Sequence, residues 1–76
     1  MVDDGLEGRL LPLWRSVLNR PDLTGDADFF ENGGDSLLAT QLVAILRMEL
    51  GRPTLSVRTV FNAPSAAEYA VLLARL

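Results

Sequence analysis

The stretch from Ser36 to Gly51 constrains the fold more than any other part of the chain. Ala39, Leu42, Val43, Leu46 and Leu50 recur at i, i+3, i+4, i+7 and i+11, which is the apolar stripe of an amphipathic helix. The helix is expected from about Ser36 to Leu50. Gly51 stands where a left-handed cap is wanted, and Pro53 lies just beyond it. A stripe of this kind needs other elements to cover it. Leu37, Leu38, Gln41, Ile45 and Met48 fall outside the stripe, and four of them are apolar. The helix alone leaves two readings open: a broad buried face in an all-helical core, or an exposed surface for a partner.

The covering elements are helical too. Leu6, Leu10, Leu13, Trp14, Val17 and Leu18 mark one face of a first helix beginning after Asp3 or Asp4 and ended by Pro21. Pro12 interrupts it: inside a helix it removes the bond to the Gly8 carbonyl, at a cost of about 3 kcal/mol. A kink there, or a start near Leu11, is expected. Leu55, Val57, Val60 and Phe61 suggest a short turn of helix after Ser56, stopped before Pro64. Ser65-Ala66-Ala67-Glu68 spells a capping box, and Ala66, Tyr69, Ala70 and Leu73 give the last helix a buried face. Three main helices and a short third one, with no strand alternation and no repeat, predict an all-α, small antiparallel four-helix bundle. Residues 20–35 form a long loop between helices 1 and 2, rich in Pro, Gly, Asp and Asn, yet holding Phe29 and Phe30. At least one of these rings should pin the loop to the core, and a long pinned loop points to function.

Composition narrows the chemistry. A chain of 76 residues is expected to form one domain, residues 1–76, of modest stability. Its compact start at Met1 and its end at Leu76 fit a free-standing protein or an excised domain equally. Without Cys or His there is no disulfide framework, no cysteine nucleophile and neither of the usual zinc ligands. No apolar run approaches a bilayer span, and MVDDGLEG lacks the regions of a signal peptide. A soluble, cytoplasmic protein is expected, with no membrane partner. The net charge of −3 is unevenly spread. Asp22, Asp26, Asp28, Glu31 and Asp35 fall between Pro21 and Ser36 with no base among them, whereas residues 37–76 hold four Arg against Glu49 and Glu68. An acidic field repels phosphate backbones, so nucleic acid is not an expected partner and a basic docking surface is. The alternative is a solvated acidic loop.

Ser36 sits beside that acidity, after Gly33, Gly34 and Asp35 and at the start of the striped helix. The letters GDSL head one family of serine esterases, but a triad needs an imidazole to take the hydroxyl proton, and the chain has no His. Lysine, the base in other designs, is also absent. A calcium loop starting at Asp26 fails on spacing, because Phe30 and Glu31 stand where an oxygen ligand and a glycine are needed. No metal site is expected. Two readings survive from the residues themselves. Asp35 or Ser36 caps the helix, or Ser36 accepts a phosphate ester that the helix N-terminus would favour, with Gly33 and Gly34 leaving room for a modifying enzyme.

The run DADFFENGGDSLLATQLV resembles the core motif of thiolation domains, the peptidyl carrier proteins of nonribosomal peptide synthesis. Their pattern is approximately D-x-F-F-x-x-G-G-x-S-L. Asp28, Phe29, Phe30, Gly33, Gly34, Ser36 and Leu37 match it in order, and the likeness continues through Leu46, Glu49-Leu50-Gly51 and the VFNAPS segment ending at Ser65. It covers nearly the whole chain.

The resemblance implies a non-catalytic four-helix carrier of the phosphopantetheine-binding acyl carrier superfamily. Ser36 would receive 4′-phosphopantetheine from coenzyme A by the action of a phosphopantetheinyl transferase, with Gly34 and Asp35 beside it at the cofactor. An adenylation enzyme would load an aminoacyl, peptidyl or aryl group on the arm's thiol. Condensation, thioesterase or tailoring enzymes would then take it from what is expected to be a monomer, and tethering supplies the effective concentration. Leu37, Thr40, Gln41, Ala44 and Met48 would face these partners. Leu38 and Ile45 depart from the polar residues common at those places in the family, and they are expected to widen the apolar contact with partners, ahead of the alternative of a local packing solution. The alternatives are an acyl carrier for polyketide or fatty-acid units and a helical adaptor with no prosthetic group.

Overall fold

Each apolar stripe becomes a helix at the place its spacing indicates. In the computed structural model, which describes residues 3–76, α1 spans Asp3–Leu18, α2 Ser36–Leu50, α3 Arg58–Asn62 and α4 Ala66–Ala74. Residues 19–35 form the long loop between α1 and α2. Among the described residues there are no strands, so the all-α bundle with a short third helix is the fold. α1 packs against both α2 and α4, and α3 packs on α4. Met1 and Val2, the first residues of the MVDDGLEG segment, lie outside the described residues.

The core is built from the expected stripes. Leu10 and Trp14 of α1, Ala39, Leu42, Val43 and Leu46 of α2, Val60 of α3, and Ala66, Tyr69, Ala70 and Leu73 of α4 are all buried. Leu50 is partly buried against them. Trp14 is the hub. Its ring meets Tyr69 and Phe29 edge-on, with centroids 5.3 and 6.3 Å away, and its indole N–H donates to the Pro64 carbonyl at 2.9 Å. A buried indole thus keeps its polar handle satisfied.

Pro12 does not delay α1 to Leu11: the helix runs from Asp3 to Leu18 with Pro12 inside it. Both Pro12 and Gly8 are exposed, so the carbonyl deprived of its partner faces water, while Leu10 and Trp14 hold the opposite face in the core. The helix also ends before Pro21. Asn19 adopts φ 56°, its N–H bonds to the Ser16 carbonyl, and the Arg20 N–H bonds to the Arg15 carbonyl. This is a left-handed cap on an asparagine, two residues ahead of the proline.

The same cap closes α2, and here a repeat emerges that the sequence reading did not find. Residues 15–23 read RSVLNRPDL and residues 47–55 read RMELGRPTL, a shared R-x-x-L-(N/G)-R-P-x-L. Gly51 has φ 64°, and the Arg52 N–H bonds to the Arg47 carbonyl at 3.0 Å, as that of Arg20 does to Arg15 at 2.9 Å. Leu23 and Leu55 follow at equivalent places, both buried. Arg15 Nε donates to the Leu23 carbonyl at 2.8 Å, and Arg47 Nε to that of Leu55 at 2.7 Å. In each case an arginine of the last helical turn clasps the loop that its own helix has just released.

Candidate functional site

The loop ahead of α2 is folded by its own polar side chains. Asp28 Oδ1 accepts from the N–H groups of Phe30 and Glu31, at 2.8 and 3.0 Å, and the Asp28 carbonyl accepts from Asn32 Nδ2 at 2.8 Å. Arg20 Nε donates to the Asn32 carbonyl. Asp28 is therefore a turn builder. The signal for this role was present, since an Asp side chain commonly binds the backbone two and three residues on. Nearer the start of the loop, the Thr24 hydroxyl donates to Asp26, and this bond holds the Asp26 carboxyl below its ordinary range.

Phe29 is fully buried and anchors the loop, as expected. Its N–H donates to the Pro64 carbonyl in the link between α3 and α4, and the Ala67 N–H of α4 donates to the Gly25 carbonyl, so the loop is tied at two points. Gly34 turns back onto Phe29, with its N–H on the Phe29 carbonyl at 2.9 Å. A side chain at Gly34 would collide with the Phe29 ring and lie 2.6 Å from the Phe29 carbonyl oxygen. Gly33 has φ 105°, a conformation that glycine alone adopts without strain. The glycine pair thus meets demands internal to the loop, a different reason from the room for a modifying enzyme expected from sequence.

The turn delivers Ser36 to the first position of α2. Asp35 caps the helix in extended conformation, its Oδ1 accepting from the Leu38 N–H at 2.9 Å. Asp35 and Ser36 are both exposed. Of the two candidate caps, Asp35 takes the role, so the Ser36 hydroxyl is not needed to close the helix. The Asp35 carbonyl accepts the Ala39 N–H. The amides of Ser36 and Leu37 remain at the helix end, where an attached anion meets the positive pole of the helix.

Behind Ser36 the exposed side of α2 carries Leu37, Gln41, Ala44 and Met48 at i, i+4, i+7 and i+11, opposite the core stripe. Leu37 is 67% and Met48 84% exposed. Thr40 is exposed beside them, its hydroxyl turned back on the Ser36 carbonyl at 2.9 Å. Ile45 is half-buried at the border of this face. Leu38 is partly buried and packed against the core, which favours the packing role over the wider contact at that position. The two open readings of the helix thus divide between residues.

Residues 8–73 match the family model described as the phosphopantetheine attachment site. The chain belongs to the phosphopantetheine carrier family. It is 57% identical over 47 residues to pyochelin synthetase PchF of Pseudomonas aeruginosa (strain UCBPP-PA14), which covers 62% of this chain and 3% of that protein. It is 46% identical over 68 residues to phenyloxazoline synthase MbtB of Mycolicibacterium paratuberculosis, 90% of this chain and 6% of that protein. The carrier chain therefore corresponds to a small part of these curated relatives. Its fold is shared with BlmI, a type-II acyl carrier protein from Streptomyces verticillus involved in bleomycin biosynthesis, at a TM-score of 0.88 and 20% identity over 96% of this chain and 87% of the other.

Carriers of this family are non-catalytic and hold phosphopantetheine covalently. The residues present fit such a group: one exposed hydroxyl stands at a capped helix start, with free backbone amides beside it. When bound, the group supplies a thiol that this cysteine-free chain lacks. None of the helices among the described residues is long and apolar enough to cross a membrane.

Proposed function

We propose that Ser36 is the acceptor of 4′-phosphopantetheine, and that the holo carrier holds aminoacyl, peptidyl or aryl groups as thioesters for nonribosomal peptide synthesis. The observation that carries this reading is the exposed Ser36 at the start of α2, with its cap supplied by Asp35. The Ser36 oxygen would attack the β-phosphate of coenzyme A, forming a serine phosphodiester and releasing 3′,5′-ADP. A phosphopantetheinyl transferase supplies the catalysis, since this chain has no imidazole or amine side chain to take the hydroxyl proton. Asp35 and Gly34 act by placement: one fixes the helix start, the other fixes the turn before it.

The synthetase relatives support an adenylation enzyme as the loading partner, and condensation, thioesterase or tailoring enzymes as the takers. Leu37, Thr40, Gln41, Ala44 and Met48 form the docking face in this reading, with Ile45 at its border and Leu38 contributing mainly from beneath. The reading includes a monomeric, cytoplasmic carrier.

Intact mass after incubation with coenzyme A, Mg²⁺ and a broad-specificity transferase tests the assignment. The wild type should gain one phosphopantetheinyl group and Ser36→Ala none, with unchanged helical circular dichroism. No gain by the wild type, or a gain that survives Ser36→Ala, would sink it.

A further inference from the structure

Arg20 is the only basic residue from Asn19 to Asp35, a stretch that holds five acids. Its side chain nonetheless goes to a backbone carbonyl: Nε donates to that of Asn32 at 3.1 Å. Closing α1 does not require this bond. The matching run after α2 forms the same left-handed cap and the same arginine clasp, yet Arg52, the counterpart of Arg20, lines a cleft with Leu6, Arg9 and Leu50 instead. Anchoring the loop does not require it either, because the Phe29 N–H and the Gly25 carbonyl already tie it to Pro64 and Ala67.

What the bond does hold is the segment that runs into Ser36. Otherwise Asn32 and Gly34 bond back to Asp28 and Phe29, within one turn. Among the described residues, Arg20 makes the only hydrogen bond between residues 30–35 and any residue before Asp28. The Arg20 end is itself fixed, its N–H on the Arg15 carbonyl at 2.9 Å and its carbonyl accepting the Leu23 N–H at 3.2 Å. The acceptor belongs to the Asn32–Gly33 peptide, a planar unit, so gripping it restrains rotation at Gly33, which sits at φ 105°. Glycine has the most conformational freedom to lose, and two glycines stand between Asn32 and Asp35.

We infer that Arg20 is a positioning residue for phosphopantetheine transfer: its brace on Asn32 pre-sets the glycine turn, and with it the place of Ser36 that the transferase meets. The inference rests on Ser36 as the acceptor. A turn set in advance loses less freedom on docking, whereas a turn that samples other shapes binds in proportion to its competent fraction. The brace therefore acts on KM for the carrier and leaves kcat, which belongs to the docked complex, unchanged.

Two substitutions of similar length separate the bond from the charge. Glutamine places an amide N–H where Nε stands and methionine has no donor there, while both lose the positive charge. Arg20 is exposed, so both variants should keep the wild-type circular dichroism. With the full chain, a broad-specificity transferase, Mg²⁺ and saturating coenzyme A, Arg20→Met should raise KM for the carrier about two- to fivefold at unchanged kcat. Arg20→Gln should restore it, and Arg52→Met, which removes an equal charge from the matching run, should leave it at the wild-type value. Amide exchange of the apo chain reads the turn without the transferase: the Gly34 N–H should exchange about two- to fivefold faster in Arg20→Met, and at the wild-type rate in Arg20→Gln. An unchanged KM or an unchanged Gly34 exchange in Arg20→Met would overturn the inference. So would a loss of kcat, a rise in KM for Arg52→Met, or equal losses from the Met and Gln variants, which would assign the effect to charge. No modification of the wild type would sink the attachment reading and this inference with it, whereas a wild type modified on Ser36 with no effect at Arg20 sinks the inference alone.

Discussion

At the scale of single residues, Gly34 and Tyr69 show how tightly the loop and core are specified. Gly34 has no space for a methyl group against the Phe29 ring and carbonyl, and Phe29 is fully buried between Trp14 and the loop. Neither partner yields cheaply. Gly34→Ala should cost about 1–3 kcal/mol as an overpacking change, read as a fall in melting temperature of about 4–8 °C for each kcal/mol in a domain of this size. An unchanged melting temperature would contradict the packing described. Tyr69 is buried with its hydroxyl 2.7 Å from Thr59 Oγ1. Burial pushes its phenol up from the ordinary value of 10.0, with the Thr59 bond acting the other way. A folded-state acid with a raised pKa stays protonated where the unfolded chain has begun to ionise. Its contribution to stability is whole below about pH 10 and declines above it. No other side chain confuses the measurement, because the chain has one Tyr and no Lys, Cys or His, and Arg stays charged. Wild-type melting temperature should therefore fall between about pH 9.5 and 11, while that of Tyr69→Phe stays level. At neutral pH the variant should lose about 1 kcal/mol for the missing bond.

At the scale of elements, the two clasped helix ends carry the chain from α1 into its loop and from α2 towards α3. They differ at the left-handed position, Asn19 in one and Gly51 in the other, and this difference sets a prediction. Asn tolerates that conformation because its short amide finds local partners, whereas a Cβ without such help costs roughly 1–2 kcal/mol. Gly51→Asn should leave urea unfolding within about 0.5 kcal/mol of the wild type, and Gly51→Ala should lower stability by roughly 1–2 kcal/mol. Equal losses from both would show that the left-handed cap is not what limits the helix end. These ends also show what is legible in a sequence. Gly51 was legible because glycine signals a left-handed cap, and the Ser65–Glu68 box because both members are local; its reciprocal bonds are present. The Asn19 cap was obscured by Pro21, a louder stop signal two residues on. The matching nine-residue runs were visible as letters, but their meaning lies in arginine-to-carbonyl bonds across eight residues, which no periodicity encodes. The exposed place of Ser36 at the start of α2 was legible because a long local motif surrounds it. The glycines' purpose was not, because the Phe29 ring that forbids a side chain at Gly34 arrives by folding.

At the scale of the whole molecule, the core and the docking face proposed for partners occupy opposite sides of α2. The core side holds Ala39, Leu42, Val43 and Leu46, and the outer side holds Leu37, Gln41, Ala44 and Met48, with no charged member among these four. The acids lie in the loop before Ser36, so in the proposed reading encounter with a basic partner and final seating draw on different parts of the surface. Attraction between exposed charges weakens as salt shortens the screening length, from about 10 Å at 0.1 M to 3 Å at 1 M, whereas burial of Leu37 and Met48 does not weaken with it. Burying a leucine or methionine side chain is worth about 1.5–3 kcal/mol, so even half-burial of both against a partner amounts to at least about tenfold in affinity. Leu37→Gln combined with Met48→Gln removes that contribution without adding charge. Both residues are largely exposed, so the fold should lose no more than about 0.5 kcal/mol per site. With the holo carrier and its adenylation enzyme, kcat/KM for loading should fall about tenfold or more for the double variant at both 0.1 M and 0.5 M salt. The wild type's rate should decline with salt through the acidic loop. Loading by the double variant at the wild-type rate, with the fold intact, would show that partners seat on another face of the carrier.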